Sequence, residues 1–286
     1  MSRLIIQVSC PDQPGIVARV AGLIHEMAGN ILNEGSHREP NPDWFFMRVE
    51  VDATELIGTS EELEDKLRAV LGGPLYGGQV QIWDPEVLQR VAILVSKDEA
   101  CLLDLLGRQK FGRLQCEIPV VIGNAPSALL DVIQMGYGVP FYVVVNRDPD
   151  ELRERTILEQ LQKHDIDLVV LARYMRILSP EFVAQYEGRI INIHPSFLPA
   201  FVGIDAYDQA WERGVKVIGA TAHYVTAGLD EGPIIAQDVV AVDHQDDVEA
   251  LTDKGGEVER RVLATAVKAH LEHRVVVHGN RTIVLG

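Results

Sequence analysis

A carboxamide and an imidazole stand two residues apart at Asn192-Ile193-His194-Pro195, inside the run Arg189-Ile190-Ile191-Asn192-Ile193-His194-Pro195-Ser196-Phe197-Leu198-Pro199. Side chains alternate along a strand, so Asn192 and His194 project to one side while Ile191 and Ile193 go to the other. An amide N–H can donate to negative charge developing on oxygen, and an imidazole can stabilise that charge and move a proton near neutral pH. The pair therefore suits addition to a carbonyl carbon. Pro195 ends the strand, and in open α/β sheets ligands bind outside the carboxyl ends of the strands. A hydrogen-bonded core pair is the alternative use of the same two residues.

A second polar segment, Thr226-Ala227-Gly228-Leu229-Asp230-Glu231-Gly232-Pro233, returns between apolar runs at 217–225 and 234–239. Asp and Gly dominate turns, so composition alone reads Asp230 as a turn residue. Folded over the strand end it would reach His194, where a carboxylate favours the protonated imidazole. His223, in Thr221-Ala222-His223-Tyr224, lies on the neighbouring apolar run, either in the site or as a structural histidine.

The elements that must position these groups follow from periodicity. Residues 4–10 read as a strand, and Pro14 sits where a first helical turn accepts proline. Val17, Val20, Ala21, Ile24 and Met27 form an amphipathic stripe. Strands at 31–37 and 44–51 flank Glu39-Pro40-Asn41-Pro42-Asp43, read as a loop because proline cannot donate to a ladder. A helix at 60–71, with acids in its first turn, and a strand at 79–83 complete a β-α-β-β-α-β order, the split βαβ of ferredoxin-like folds. From residue 89 onward, continuous apolar runs at 90–95, 118–122, 140–145, 168–171 and 190–193 alternate with helices, the clearest at 151–164 and 248–270. Such runs fit strands buried on both faces of a mostly parallel, Rossmann-like sheet. The expected domains are 1–84 and 85–286.

Composition narrows the class. The 286 residues are 47% hydrophobic and 24% charged, which is ordinary globular usage. A net charge of -16 without a basic patch disfavours nucleic acid and anionic membranes as partners. Cys10, Cys101 and Cys116 lack a paired spacing and read as buried structural thiols in a reducing cytoplasm. No stretch approaches a membrane span, and the N-terminus runs into a strand rather than a cleavable signal.

Asn192-Ile193-His194-Pro195-Ser196-Phe197-Leu198-Pro199, with Asp230 following in Leu-Asp-Glu-Gly-Pro-Ile-Ile, resembles the signature of the 10-formyltetrahydrofolate-dependent formyltransferase fold. Leu171-Ala172-Arg173-Tyr174-Met175-Arg176-Ile177-Leu178-Ser179 resembles that family's folate-pocket segment, and Gly279-Asn280-Arg281-Thr282-Ile283-Val284 its deformylase branch. Cys10-Pro11-Asp12-Gln13-Pro14-Gly15-Ile16-Val17 is similar to an ACT regulatory domain.

The resemblance implies hydrolysis of 10-formyltetrahydrofolate to tetrahydrofolate and formate, balancing the one-carbon folate pool and supplying formate for purine synthesis. It implies no permanently bound cofactor and no metal. Asn192 would hold the formyl oxygen, His194 would stabilise the tetrahedral intermediate and move protons, and Asp230 would orient His194 and water. Leu171, Arg176, Ile177, Leu178, Val225, Gly228 and Leu229 would surround the folate. Asp12, Gly15 and Asn30 would bind an amino-acid effector in a homo-oligomer, methionine and glycine being candidates, or the domain would serve dimerisation without a ligand. The alternatives are transfer of the formyl group to a non-phosphorylated amine, and a non-catalytic folate or amino-acid sensor.

Two features bear on hydrolysis against transfer. The first βα turn of the second domain is Val95-Ser96-Lys97-Asp98-Glu99-Ala100, without the glycines that cradle a substrate phosphate, and Ser96 with Glu99 reads as a capping box. Pro195 stands where deformylases usually carry a second histidine, and Gly203-Ile204-Asp205-Ala206-Tyr207 also departs from their pattern.

Overall fold

The computed structural model describes residues 2–71, 78–126, 129, 131–144, 149–200 and 206–286. The chain divides into two compact units, one of residues 1–88 with 272–276 and 283–286, the other of 89–271 with 277–282. The last strand residues thus pack with the first unit, which a division at 84/85 does not anticipate.

In the first unit β1 (Arg3–Pro11) buries Ile6, Val8 and Cys10 at alternate positions. Gly15 caps the following helix in the left-handed region, at φ 89°, where a side chain is strained. That helix, α1 (Ile16–Glu26), buries Ile16, Val20 and Ile24 along one stripe. Next come β2 (Asn30–Pro40), β3 (Asp43–Asp52), α2 (Ser60–Leu71) and β4 (Gln79–Trp83). The antiparallel order β2-β3-β1-β4 is the split βαβ arrangement.

The hairpin is tighter than the two prolines suggested. Pro40 pairs with Asp43, leaving Asn41-Pro42 as the turn. Pro40 is tolerated because it is the last ladder residue of an edge strand, where a missing N–H costs no pairing. On the sheet's outer face, Phe46 packs with Val276 and Leu285. The buried Arg48 donates to the carbonyls of Glu272 and His273.

The second unit is built from β5 (Arg90–Val95), α3 (Ala100–Lys110), β6 (Glu117–Gly123), β7 (Phe141–Val143), α4 (Asp150–Lys163), β8 (Leu168–Ala172), α5 (Pro180–Gln185), β9 (Ile190–His194), α6 (Ala206–Arg213), β10 (Val217–Tyr224), β11 (Ile234–Ala241) and α7 (Val248–Leu271). The hairpin strands β12 (Val275–His278) and β13 (Arg281–Val284) end the chain. The seven-stranded sheet has the order β11-β10-β9-β8-β5-β6-β7. Its five strands from β9 to β7 run parallel, β10 runs antiparallel to β9, and β11 antiparallel to β10. Ala92, Leu94, Val169, Leu171 and Ile190 face α4 and α5 through Ile157, Leu161, Phe182 and Val183. Helices α3 and α7 pack on each other and on the sheet. Chain order reverses between β5 and β8, the switch point at which such sheets open a crevice.

Among the described residues no helix is long and apolar enough to cross a membrane. All three cysteines are buried, and burial pushes Cys10 up to about 11 and Cys101 and Cys116 to about 12. His270 lies with Nδ1 2.7 Å from the Tyr224 hydroxyl, and burial pushes its pKa from 6.5 down to about 4. As pH falls below 6.5 the unfolded chain takes this proton first, so stability present above that pH is lost between 6.5 and about 4. The wild-type melting temperature should fall more steeply across that window than that of His270→Gln. Parallel curves would refute the assignment.

Candidate active site

Strand β9 presents Asn192 and His194 on the face it shares with Ile190, as alternation requires. In the antiparallel register of β9 and β10, Asn192 lies opposite His223 and His194 opposite Thr221. These four polar side chains therefore share one patch of an otherwise apolar sheet. The turn after His194 is fixed by Thr221, whose hydroxyl donates to the Ser196 carbonyl at 2.8 Å and accepts from Leu198 N–H at 3.0 Å. Gln237 of β11 donates to the same hydroxyl and to the Leu198 carbonyl. Thr221 and Gln237 carried no functional signal in the sequence, because both act through strand register.

Asp230 reaches this patch from the loop between β10 and β11. Its backbone is left-handed, at φ 55°, a conformation Asp tolerates better than most residues. Gly232 lets the loop close, since a Cβ there would come within 1.7 Å of the Tyr224 carbonyl oxygen. Asp230 Oδ2 lies 3.3 Å from His194 Nδ1, and Oδ1 lies 3.6 Å from His223 Nε2. The facing His223 imidazole and the neighbouring His194 hold the Asp230 carboxyl below its usual range, against the opposing effect of burial. Asp230 thus stays ionised and fixes the proton of neutral His194 on Nδ1, making Nε2 its basic nitrogen.

His223 orients the amide. Its Nδ1 is 2.9 Å from the Tyr224 carbonyl, which only accepts, so Nδ1 carries the proton. In the neutral ring Nε2 then accepts from Asn192 Nδ2 at 3.3 Å, and the second N–H of that amide can point at a substrate oxygen. When protonated, Nε2 turns its charge toward Asp230 instead. The 3.6 Å separation makes that a charge contact rather than a good hydrogen bond. The second imidazole of the site therefore comes from β10, not from the position after His194. His223→Ala should lower kcat by about tenfold to a hundredfold with little change in KM, as a misoriented donor would. His223→Gln, which restores an acceptor, should recover part of it. Equal rates for both variants and the wild type would reject the role.

The expected folate residues fall on two loops and the strands that lead into them. Leu171 and Leu178 are buried in the core, with Val225 packed against them. Ile177 is 72% exposed and Leu229 55%, as apolar side chains awaiting a ligand would be. The loop from Arg173 to Ser179 is pinned at both ends. Met175 N–H donates to Ser96 Oγ at 2.9 Å, and Ser179 N–H donates to the buried Glu154 at 2.7 Å. Ser179 then caps α5 through Phe182 N–H. The Ser96 capping box is thus overturned: its hydroxyl accepts from Met175 and Asn124, and at the start of α3 the Ala100 N–H donates to Asp98 instead.

An apolar cavity of about 380 Å³ lies beside His194, lined by Pro195, Phe197, Tyr207, Gly219 and Val239 among others. None of the seven expected folate residues lines it. Residues 203–205 of the departure from the deformylase pattern lie outside the described residues.

In the first unit the three expected effector residues do not converge. Asp12 pairs with Arg38 at 2.6 Å, and its N–H donates to Asp43, at the end of the sheet near Gly15. Asn30 pairs with Asp52, nine residues along β3 from Asp43, or roughly 30 Å away at strand rise.

Residues 89–267 match the family model described as formyl transferase. The chain is 46% identical over 285 residues to a formyltetrahydrofolate deformylase of Synechocystis sp., covering 97% of this chain and 96% of that protein. The crystal structure of a formyltetrahydrofolate deformylase from Pseudomonas syringae pv. tomato superposes with a TM-score of 0.92 at 39% identity, covering 100% of this chain and 95% of that one. A glycinamide ribonucleotide transformylase from Symbiobacterium toebii reaches a TM-score of 0.66 at 37% identity, covering 95% of that chain but 70% of this one.

Proposed function

The chain belongs to the formyltetrahydrofolate deformylases, and on that premise we propose that Asn192, His194 and Asp230 carry the hydrolysis of 10-formyltetrahydrofolate to tetrahydrofolate and formate. The observation that carries the assignment is the Asp230 contact with both imidazoles above the Asn192 amide. Water adding to the formyl carbon builds negative charge on oxygen, which the Asn192 N–H and His194 can receive. Expelling the folate nitrogen requires a proton, which His194 can deliver while Asp230 balances its charge. Arg176, Ile177, Leu178, Gly228 and Leu229 would contact the folate beside Leu171 and Val225. The reaction returns free formate, consistent with a supply for purine synthesis.

The test is direct. Incubated with 10-formyltetrahydrofolate alone, the protein should release tetrahydrofolate and formate in equal amounts. Release that depends on an added amine would replace hydrolysis with transfer. Full-length similarity to deformylases, against partial coverage by a transformylase, favours hydrolysis.

The first unit reads as an ACT-like effector module, supported by its βαββαβ order and its left-handed Gly15 turn. A site joining Asp12 and Gly15 to Asn30 needs the Asn30 of a second copy, so effector binding goes with a homo-oligomer. Buried reduced thiols fit the cytoplasm.

A further inference from the structure

One buried charge cluster lies outside the groups just assigned. Arg173 follows the last residue of β8 and takes a left-handed backbone, at φ 58°. Extending the parallel registers by one and two residues places it between Ser96, after β5, and His194, at the end of β9. It therefore stands at the switch point, in the same row of strand ends as His194. Its Nη2 donates to Glu259 Oε1 at 2.6 Å, and its Nε lies 2.5 Å from Oε2 and 3.6 Å from Asp98. Glu259, on α7, is wholly buried and also accepts from the Tyr207 hydroxyl of α6. Gly255, one turn earlier on α7, makes room for that ring: a Cβ there would come within 2.1 Å of the Tyr207 oxygen.

In sheets of this topology the crevice at the reversal of strand order is where a ligand enters. Here Arg173 stands at it, tied to Glu259 of α7 and through it to Tyr207 of α6. The folate reading above places the substrate on residues 176–178 and 225–229, so an acceptor must reach the formyl carbon from the other side. We infer that the Arg173–Glu259–Tyr207 cluster fills the acceptor position and excludes carbon-substituted amines, leaving room only for a nucleophile about the size of water. These are positioning residues that set specificity, and they take no part in proton transfer. With the cluster removed, a primary amine would form a C–N bond to the formyl carbon, the bond to folate N10 would break, and the amine proton would pass to N10.

The inference rests on the hydrolytic reading, which tetrahydrofolate release by the wild type without amine tests separately. Removing one partner would strand a buried charge, so both are changed together. The opened variant is Arg173→Gly with Glu259→Ala, and the refilled variant is Arg173→Met with Glu259→Met. Each is given 10-formyltetrahydrofolate and glycinamide, and formylglycinamide is measured against formate. The ratio should rise by about tenfold or more in the opened variant and stay at the wild-type value in the refilled one. A merely structural role would lower both products together and leave the ratio unchanged. Equal ratios in the two variants, or wild-type protein forming formylglycinamide as fast as formate, would overturn the inference. Should the opened variant not fold, wild-type protein decides: hydroxylamine, hardly larger than water, should intercept the formyl group and glycinamide should not. Equal interception by both would overturn it.

Discussion

Asp230→Asn lowers turnover by about two to four orders of magnitude while the protein keeps its fold and its affinity for folate. The carboxylate holds the proton of His194 on Nδ1 across 3.3 Å and balances the charge when that ring is protonated. An amide of the same shape does neither. Its NH₂ group can pair with an unprotonated Nδ1 and so favour the wrong tautomer. Because the Asp230 carboxyl is held below its usual range, it stays ionised wherever an imidazole titrates. An acid limb in the rate profile at about pH 5 to 8 therefore reports an imidazole and not Asp230. The same lowering is a stability term, present above the ordinary carboxyl pKa and lost as pH falls through the folded value. The decisive measurement is tetrahydrofolate release beside circular dichroism. An unchanged rate in well-folded protein would remove Asp230 from the mechanism.

Asn192→Ala costs about two to three orders of magnitude in kcat, because it deletes a donor aimed at the oxygen on which charge develops. The loss should fall on kcat more than on KM, since the interaction strengthens as the tetrahedral intermediate forms. Asn192→Ala combined with His223→Ala should be little slower than Asn192→Ala alone, since His223 acts by orienting that amide. Fully multiplicative losses would show that His223 works independently, for instance by placing water.

Much of the site was legible in one dimension. The two-residue period of a strand was enough to put Asn192 and His194 on one side, and the proline after His194 to end it. Asp230 was less so: its loop composition reads as a turn, and only resemblance to a family pointed to catalysis. His223 was legible only as a candidate for the site; its role in orienting the amide was not, because that depends on which residue of β10 faces Asn192. Ser96 was misread for the same reason. A local pairing with Glu99 was the nearest explanation, but parallel pairing of β5 with β8 brings Met175 N–H to its hydroxyl. Arg173 reads in sequence only as part of the segment resembling a folate pocket; its pairing with Glu259 depends on α7, and the place of Glu259 on a buried helical face beside Gly255 was the available hint.

Sequence alone determined what repeats at short range: strands and helices by their periods, the split βαβ order of the first unit, the parallel sheet of the second, and an amide and imidazole sharing a side. Tertiary structure alone decided what meets across long separations. That includes the carboxylate between two imidazoles, the orientation of the Asn192 amide, the pairing of Arg173 with Glu259 and the separation of Asn30 from Asp12. The reason is physical. Local pattern follows from backbone geometry a few residues at a time, whereas strand register and loop closure follow from burying the whole core at once, and no local pattern encodes them.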